Sequence, residues 1–154
     1  MEQAWKNKWV YIGVGLGAGI NSFNNTMEYK HNTDKLIGPI FPGGFLAEFT
    51  ILPYISIELG AYLGLALAGG PLIPILAKAG YRFEKIEAFF DIGYTLWVGF
   101  TLGGTFGVNI GPGILFTKLM AIPVAAGSPD SKYTWNSAYM GLVGYKLGMG
   151  NKRK

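Results

Sequence analysis

The sequence predicts an all-β chain, an eight-stranded antiparallel up-and-down barrel that spans a membrane with its oily face outward. Three observations carry that expectation. The first is parity: from 86 to 102 the even positions are Ile86, Ala88, Phe90, Ile92, Tyr94, Leu96, Val98, Phe100 and Leu102, while the odd ones mix Glu87, Phe89, Asp91 and Trp97 with glycine and threonine. From 73 to 83 the oil lies on odd positions, Ile73, Ile75, Ala77, Ala79, Tyr81 and Phe83, and Lys78 and Arg82 lie on even ones. A strand turns successive side chains to opposite faces, so two such runs joined at Glu84-Lys85 read as a hairpin. The second is composition: 154 residues, 50% apolar, with 24 glycines and only 14% charged. Soluble domains carry about a quarter charged residues, so the chain is short of the charge a wetted surface needs. The third is length, because nine apolar side chains in a row on one face suit the strands of about 9 to 11 residues that cross a bilayer.

The elements follow in order. After a polar lead, 1–8, the first strand alternates Val10, Ile12, Val14, Leu16, Ala18 and Ile20 with Tyr11 and a run of glycines, whose bare wall leaves room for large residues opposite. Residues 22–40 are the longest polar stretch and are expected to form the long first loop. Strand two runs from about Phe41 to Ile51 with Phe45, Ala47 and Phe49 outward and Gly44, Leu46 and Glu48 inward; Pro42 suggests a frayed start. Leu52-Pro53 turns the chain into strand three, which sets Ile55, Ile57, Leu59, Ala61, Leu63, Leu65 and Leu67 against Ser56, Glu58, Gly60, Tyr62 and Gly64.

A loop at 68–72 leads into the hairpin that forms strands four and five. A two-residue and a four-residue loop give it the same register, with Arg82 opposite Glu87, Lys78 opposite Asp91 and Gly80 opposite Phe89. Glu84-Lys85 is a poor two-residue turn sequence, which favours the longer loop. Strand five is expected to run to Leu102 and to break at Gly103-Gly104. Strand six then has Phe106, Val108, Ile110, Pro112, Ile114 and Phe116 outward, although Gly111-Pro112-Gly113 also reads as a turn. Strand seven covers about Leu119 to Ala126, Gly127 to Lys132 is a loop, and strand eight runs from about Thr134 to Met149 with Tyr139, Val143, Tyr145, Leu147 and Met149 outward. A basic tail, 150–154, completes one domain over residues 1–154. Aromatic residues gather at both ends, Trp5, Trp9, Tyr54, Tyr81, Phe83, Phe116 and Tyr145 with the termini, and Phe23, Phe41, Phe45, Phe100, Phe106, Tyr133 and Trp135 opposite. Two such girdles are what a membrane barrel needs at its interfaces.

Other readings fit less well. Leu59 to Ala77 is free of charge and contains Gly60-x-x-x-Gly64, as a membrane helix would, but Gly69, Gly70, Pro71 and Pro74 interrupt it. A soluble barrel with its oil inside would have a glycine-rich exterior poor in charge. Gly13 to Ala18 loosely matches a dinucleotide fingerprint with Asp34 beyond it, yet no helix follows. The chain has no cysteine, which excludes disulfides, thiolate metal sites and a cysteine nucleophile. The +4 charge lies largely in the tail, leaving no basic patch for nucleic acid. The first residues hold no signal peptide.

The inward charges Glu48, Glu58, Lys78, Arg82, Glu87, Asp91 and Lys146 form the candidate site, four acids against three bases. Inside a narrow bore each needs a partner, which points to a structural salt-bridge network, a lumen charge network, more than to an ion path. No catalytic group and no metal site is expected, and no cofactor. Together with the architecture and Gly144, Leu147 and Met149 in the final strand, this cluster resembles the small eight-stranded outer-membrane barrels of the OmpA transmembrane domain, OmpX and OmpW type. The resemblance implies a porin-like, non-enzymatic protein of the bacterial outer membrane, with a structural or surface-interaction role. Its partners would be outer-membrane lipid and the outer-membrane assembly machinery, not nucleic acid, and it would be a monomer. The resemblance to OmpW further implies sideways passage of small hydrophobic molecules. His31 and Asp34 in the first loop, with Ser128 and Asp130 in the last, faintly resemble the lipid A-modifying barrel enzymes.

Overall fold

The computed structural model describes residues 8–25, 35–66, 70–96, 98–123 and 133–151. Its strands are β1 Lys8–Asn25, β2 Lys35–Leu52, β3 Ile55–Ala66, β4 Gly70–Leu72, β5 Pro74–Arg82, β6 Ile86–Thr95, β7 Gly99–Ile110, β8 Gly113–Ile122 and β9 Tyr133–Asn151. All pairings are antiparallel. β1 joins both β2 and β9, and β2 also joins β3, so the sheet closes on itself. β4 and β5 share one position in the wall, since both pair with β3 in a single register, Tyr62 opposite Leu72 and Leu59 opposite Ile75. The wall therefore has eight strands, with β4 as a short extra piece.

Proline explains the interruption. Pro74 has no N–H for the ladder, and its ring packs so closely over Gly60 that a Cβ there would lie 2.8 Å from Pro74 Cγ. The β1–β2 ladder lapses in the same way at Pro42, between Leu16 opposite Gly43 and Gly19 opposite Ile40. Pro42 is not a frayed start: β2 begins seven residues earlier, at Lys35, and Pro42 pairs with Gly64 of β3. The long first loop is shorter than expected, because β1 reaches Asn25 and β2 takes up Lys35 onward. Residues 26–34 lie outside the described residues.

The central hairpin has the expected register, with Arg82 opposite Glu87, Gly80 opposite Phe89 and Lys78 opposite Asp91. Its loop is tighter than expected, since the Phe83 N–H donates to the Ile86 carbonyl at 2.7 Å around Glu84 and Lys85. Further boundaries differ from the sequence reading, beginning with residues 70–72, expected in a loop, which form β4. The chain turns between Thr95 and Gly99, which pair with each other, and Gly103 and Gly104 lie within β7. The second turn is at Gly111 and Pro112, with Ile110 opposite Gly113. Gly111 adopts φ of 60°, a conformation that favours glycine. Side chains after it change face: Ile114 and Phe116, expected outward, are buried, and Leu115 is exposed. Phe116 thus leaves the expected girdle, and Phe106, opposite Ala88, belongs toward the end holding the termini.

The barrel is oily outside and packed inside. Leu16, Phe45, Leu63 and Leu119 are each at least 66% exposed, whereas Leu46, Tyr62, Leu76 and Leu142 are at most 2% exposed. Large apolar side chains thus cover the outside of the barrel, and the described residues contain no helix.

Candidate functional site

The interior has two storeys. Toward the termini lies a belt of charge, and toward the opposite end lies an apolar cluster that includes Ile40, Leu46, Leu72, Leu76, Met120 and Leu142. The belt arises because alternate residues of each strand face inward, so one inward charge per strand at similar depth suffices to build it. Glu48 comes from β2, Glu58 from β3, Lys78 and Arg82 from β5, Glu87 and Asp91 from β6, and Lys146 from β9.

The structure brings all seven together and adds Lys118 of β8, which is fully buried. Four acids then face four bases. Linked by contact, their signs alternate. Asp91 lies 3.6 Å from Lys118, Lys118 bonds Glu58, Glu58 holds Lys78 at 3.1 Å, and Lys78 holds Glu48 at 2.9 Å. From Glu48 the contacts close into a ring: Lys146 at 2.7 Å, then Glu87 2.5 Å from Lys146, then Arg82 2.8 Å from Glu87 and 2.6 Å from Glu48. Lys78 bonds Glu58 of the adjoining β3 and Glu48 of β2 beyond it, while its partner on the other side, Asp91 of β6, accepts from Thr105 at 2.6 Å.

The cations also lie over rings. Arg82 sits 4.3 Å from the Tyr11 ring and 5.2 Å from that of Phe89, and Lys146 sits 5.9 Å from that of Phe116. Attraction to the ring faces adds to that of the carboxylates at these buried positions. Counting Tyr11 of β1 and Thr105 of β7, every wall of the barrel touches the network. Taking such charges out of water costs several kcal/mol per ion, offset where geometry is good and each charge is matched. With signs alternating and numbers equal, no member of the belt is left as an unmatched charge. Among the described residues, Asp91 Oδ1, the Tyr62 hydroxyl and Ser56 Oγ have no hydrogen-bond partner.

Sequence reasoning missed Lys118 because strand six was carried through Gly111-Pro112, which left residues 117 and 118 between strands. The turn sequence itself was the available signal. Of the residues expected to resemble lipid-modifying enzymes, His31, Asp34, Ser128 and Asp130 all lie outside the described residues. Among the described residues no group of three or more potential metal ligands stands together. No protein-family model matches the chain, and no curated protein matches it.

Proposed function

We propose that the chain is a non-enzymatic integral barrel of the bacterial outer membrane, closed along its axis by its own side chains and serving a structural or surface-interaction role. The observation that carries this is the inverted polarity: eight charges are buried inside while large apolar side chains cover the outside. Monomeric soluble proteins rarely expose contiguous apolar patches above a few hundred Å². Lipid removes that penalty, and a closed ladder leaves no unpaired strand edge in it. Closure to ions follows from matched charges below and packed apolar side chains above, since an apolar constriction excludes water and the ions it carries. The test is planar-bilayer recording of the refolded protein. No large steady conductance is expected, and steady conductance of porin size overturns the proposal.

Sideways passage of small hydrophobic molecules, as in the resemblance to OmpW, is a second reading with one observation in its favour. The upper interior is apolar, and the ladder lapses beside it at Pro42 and at Pro74. Uptake of an apolar dye into the barrel in vesicles, lost when the interruption is repaired by Pro42→Val, tests it. Uptake unchanged in that variant excludes passage at Pro42.

A further inference from the structure

At the end holding the termini, the turn at Pro53 and the turn at Glu84 and Lys85 flank a cavity of about 750 Å³. Its floor is polar, formed by Thr50 and by Arg82, whose side chain is 5% exposed. A guanidinium has five N–H donors. In Arg82, Nε and Nη2 serve Glu87 and Glu48, and one N–H of Nη1 serves Thr50 at 3.3 Å. Among the described residues the other N–H of Nη1 has no partner. Glu48 and Glu87 bond other atoms of the guanidinium, and each is matched by a second cation, Lys146. Away from the floor the lining changes character. Glu84 and Lys85 are both exposed on the turn, and Tyr81 and Phe83 face outward with ring centroids 4.6 Å apart.

Hydrogen-bond donors at the bottom, Lys85 beside Glu84 at the rim and rings on the outer side form an amphiphilic lining in which the donors and Lys85 suit a phosphate head and the rings suit its tail. We propose that this cavity is a phospholipid site. The phosphate lies between Arg82 Nη1, the Thr50 hydroxyl and Lys85, and an acyl chain runs out along Tyr81 and Phe83. A carboxylate or phosphate without a tail leaves the two rings uncovered, whereas a lipid of the adjoining leaflet satisfies both parts of the lining. The inference rests on the membrane reading above.

Native mass spectrometry of the barrel released from vesicles tests it, with phosphatidylglycerol and diacylglycerol of identical chains as competing probes and glycerol phosphate as the soluble head alone. Preferential retention of one phosphatidylglycerol is expected. Lys85→Gln is expected to cut it about fivefold, the loss of one cation near an anionic headgroup, and Thr50→Val is expected to reduce it as well. Equal retention of diacylglycerol, or retention unchanged in Lys85→Gln, overturns the site while leaving the membrane reading intact. Glycerol phosphate bound as tightly as the lipid overturns the leaflet as the source. A folded chain that stays in the aqueous phase overturns both proposals.

Discussion

Replacing Lys118 by methionine shortens the unbranched side chain by one atom and removes one of four internal bases. Lys118 Nζ bonds Glu58 and lies 3.6 Å from Asp91. After the change Glu58 still has Lys78 at 3.1 Å, but Asp91 keeps the Thr105 hydroxyl and, among the described residues, no cation within 4 Å. Breaking a buried pair from one side costs roughly 3 to 5 kcal/mol, because the remaining charge stays out of water without its partner. The folding equilibrium constant should therefore fall on the order of a hundredfold or more. Urea titration of the barrel in lipid vesicles, followed by tryptophan fluorescence, reads that loss directly. A companion variant sharpens the test: Lys118→Met with Asp91→Asn leaves three acids and three bases, and should recover much of the stability. Coupling between two such neighbours falls in the range of about 0.5 to 3 kcal/mol. A single-variant loss below about 1 kcal/mol, the scale of an exposed pair, refutes the reasoning, as does a double variant no better than the sum of its parts.

Three further outcomes are expected. On β3 the thiol of Leu63→Cys should react with membrane-partitioning probes and that of Gly64→Cys should be shielded from them; Leu63→Arg should weaken insertion by roughly 2 to 4 kcal/mol. Labelling that fails to alternate along residues 55–64 contradicts the outward face. The turn at Gly111 predicts that Leu115→Cys is reached from lipid and Phe116→Cys is protected, and the opposite pattern would restore an unbroken strand through Pro112. Gly111→Ala should cost about 1 to 2 kcal/mol in the same urea titration, because an L side chain is strained at φ of 60°, and no loss would mean that the turn adopts another conformation.

Where alternation was informative, the sequence revealed the barrel and its register. The pairing of Arg82 with Glu87 and Lys78 with Asp91 follows from parity alone, because it flips across Glu84-Lys85. The next turn hides for the same reason. Thr95 and Gly99 are both odd, so a loop of three residues leaves the outward positions even on either side, and two strands read as one. Gly103-Gly104 then attracted the break, although both glycines sit inside β7. In β8 the difficulty is chemical. Ile114, Phe116, Met120 and Ile122 face an apolar interior while Leu115 and Leu119 face outward, so both sides of the strand are oily and alternation vanishes. Lys118 was the only strongly polar inward residue of that strand, and it was legible only after the turn at Gly111-Pro112 had been placed. The upper apolar storey escaped notice because inward leucine and isoleucine look the same in sequence as outward ones.

The closed ring of charges also sets the order in which the molecule can become dry. Glu48 and Glu58 lie in the first half of the chain, and the cations Lys118 and Lys146 arrive on β8 and β9, with Lys146 meeting Glu48 across 98 positions of sequence. Until the last hairpin docks, the early acids have only Lys78 and Arg82 near them, and water must stay to solvate the remainder. Joining residues so far apart requires the loop-closure entropy of nearly the whole chain. Sealing the seam between β1 and β9 and expelling water from the bore are thus one event. A late intermediate that has eight strands formed but an open seam is therefore wet inside, and its rate of maturation is governed by dehydration as well as by diffusion of strand ends.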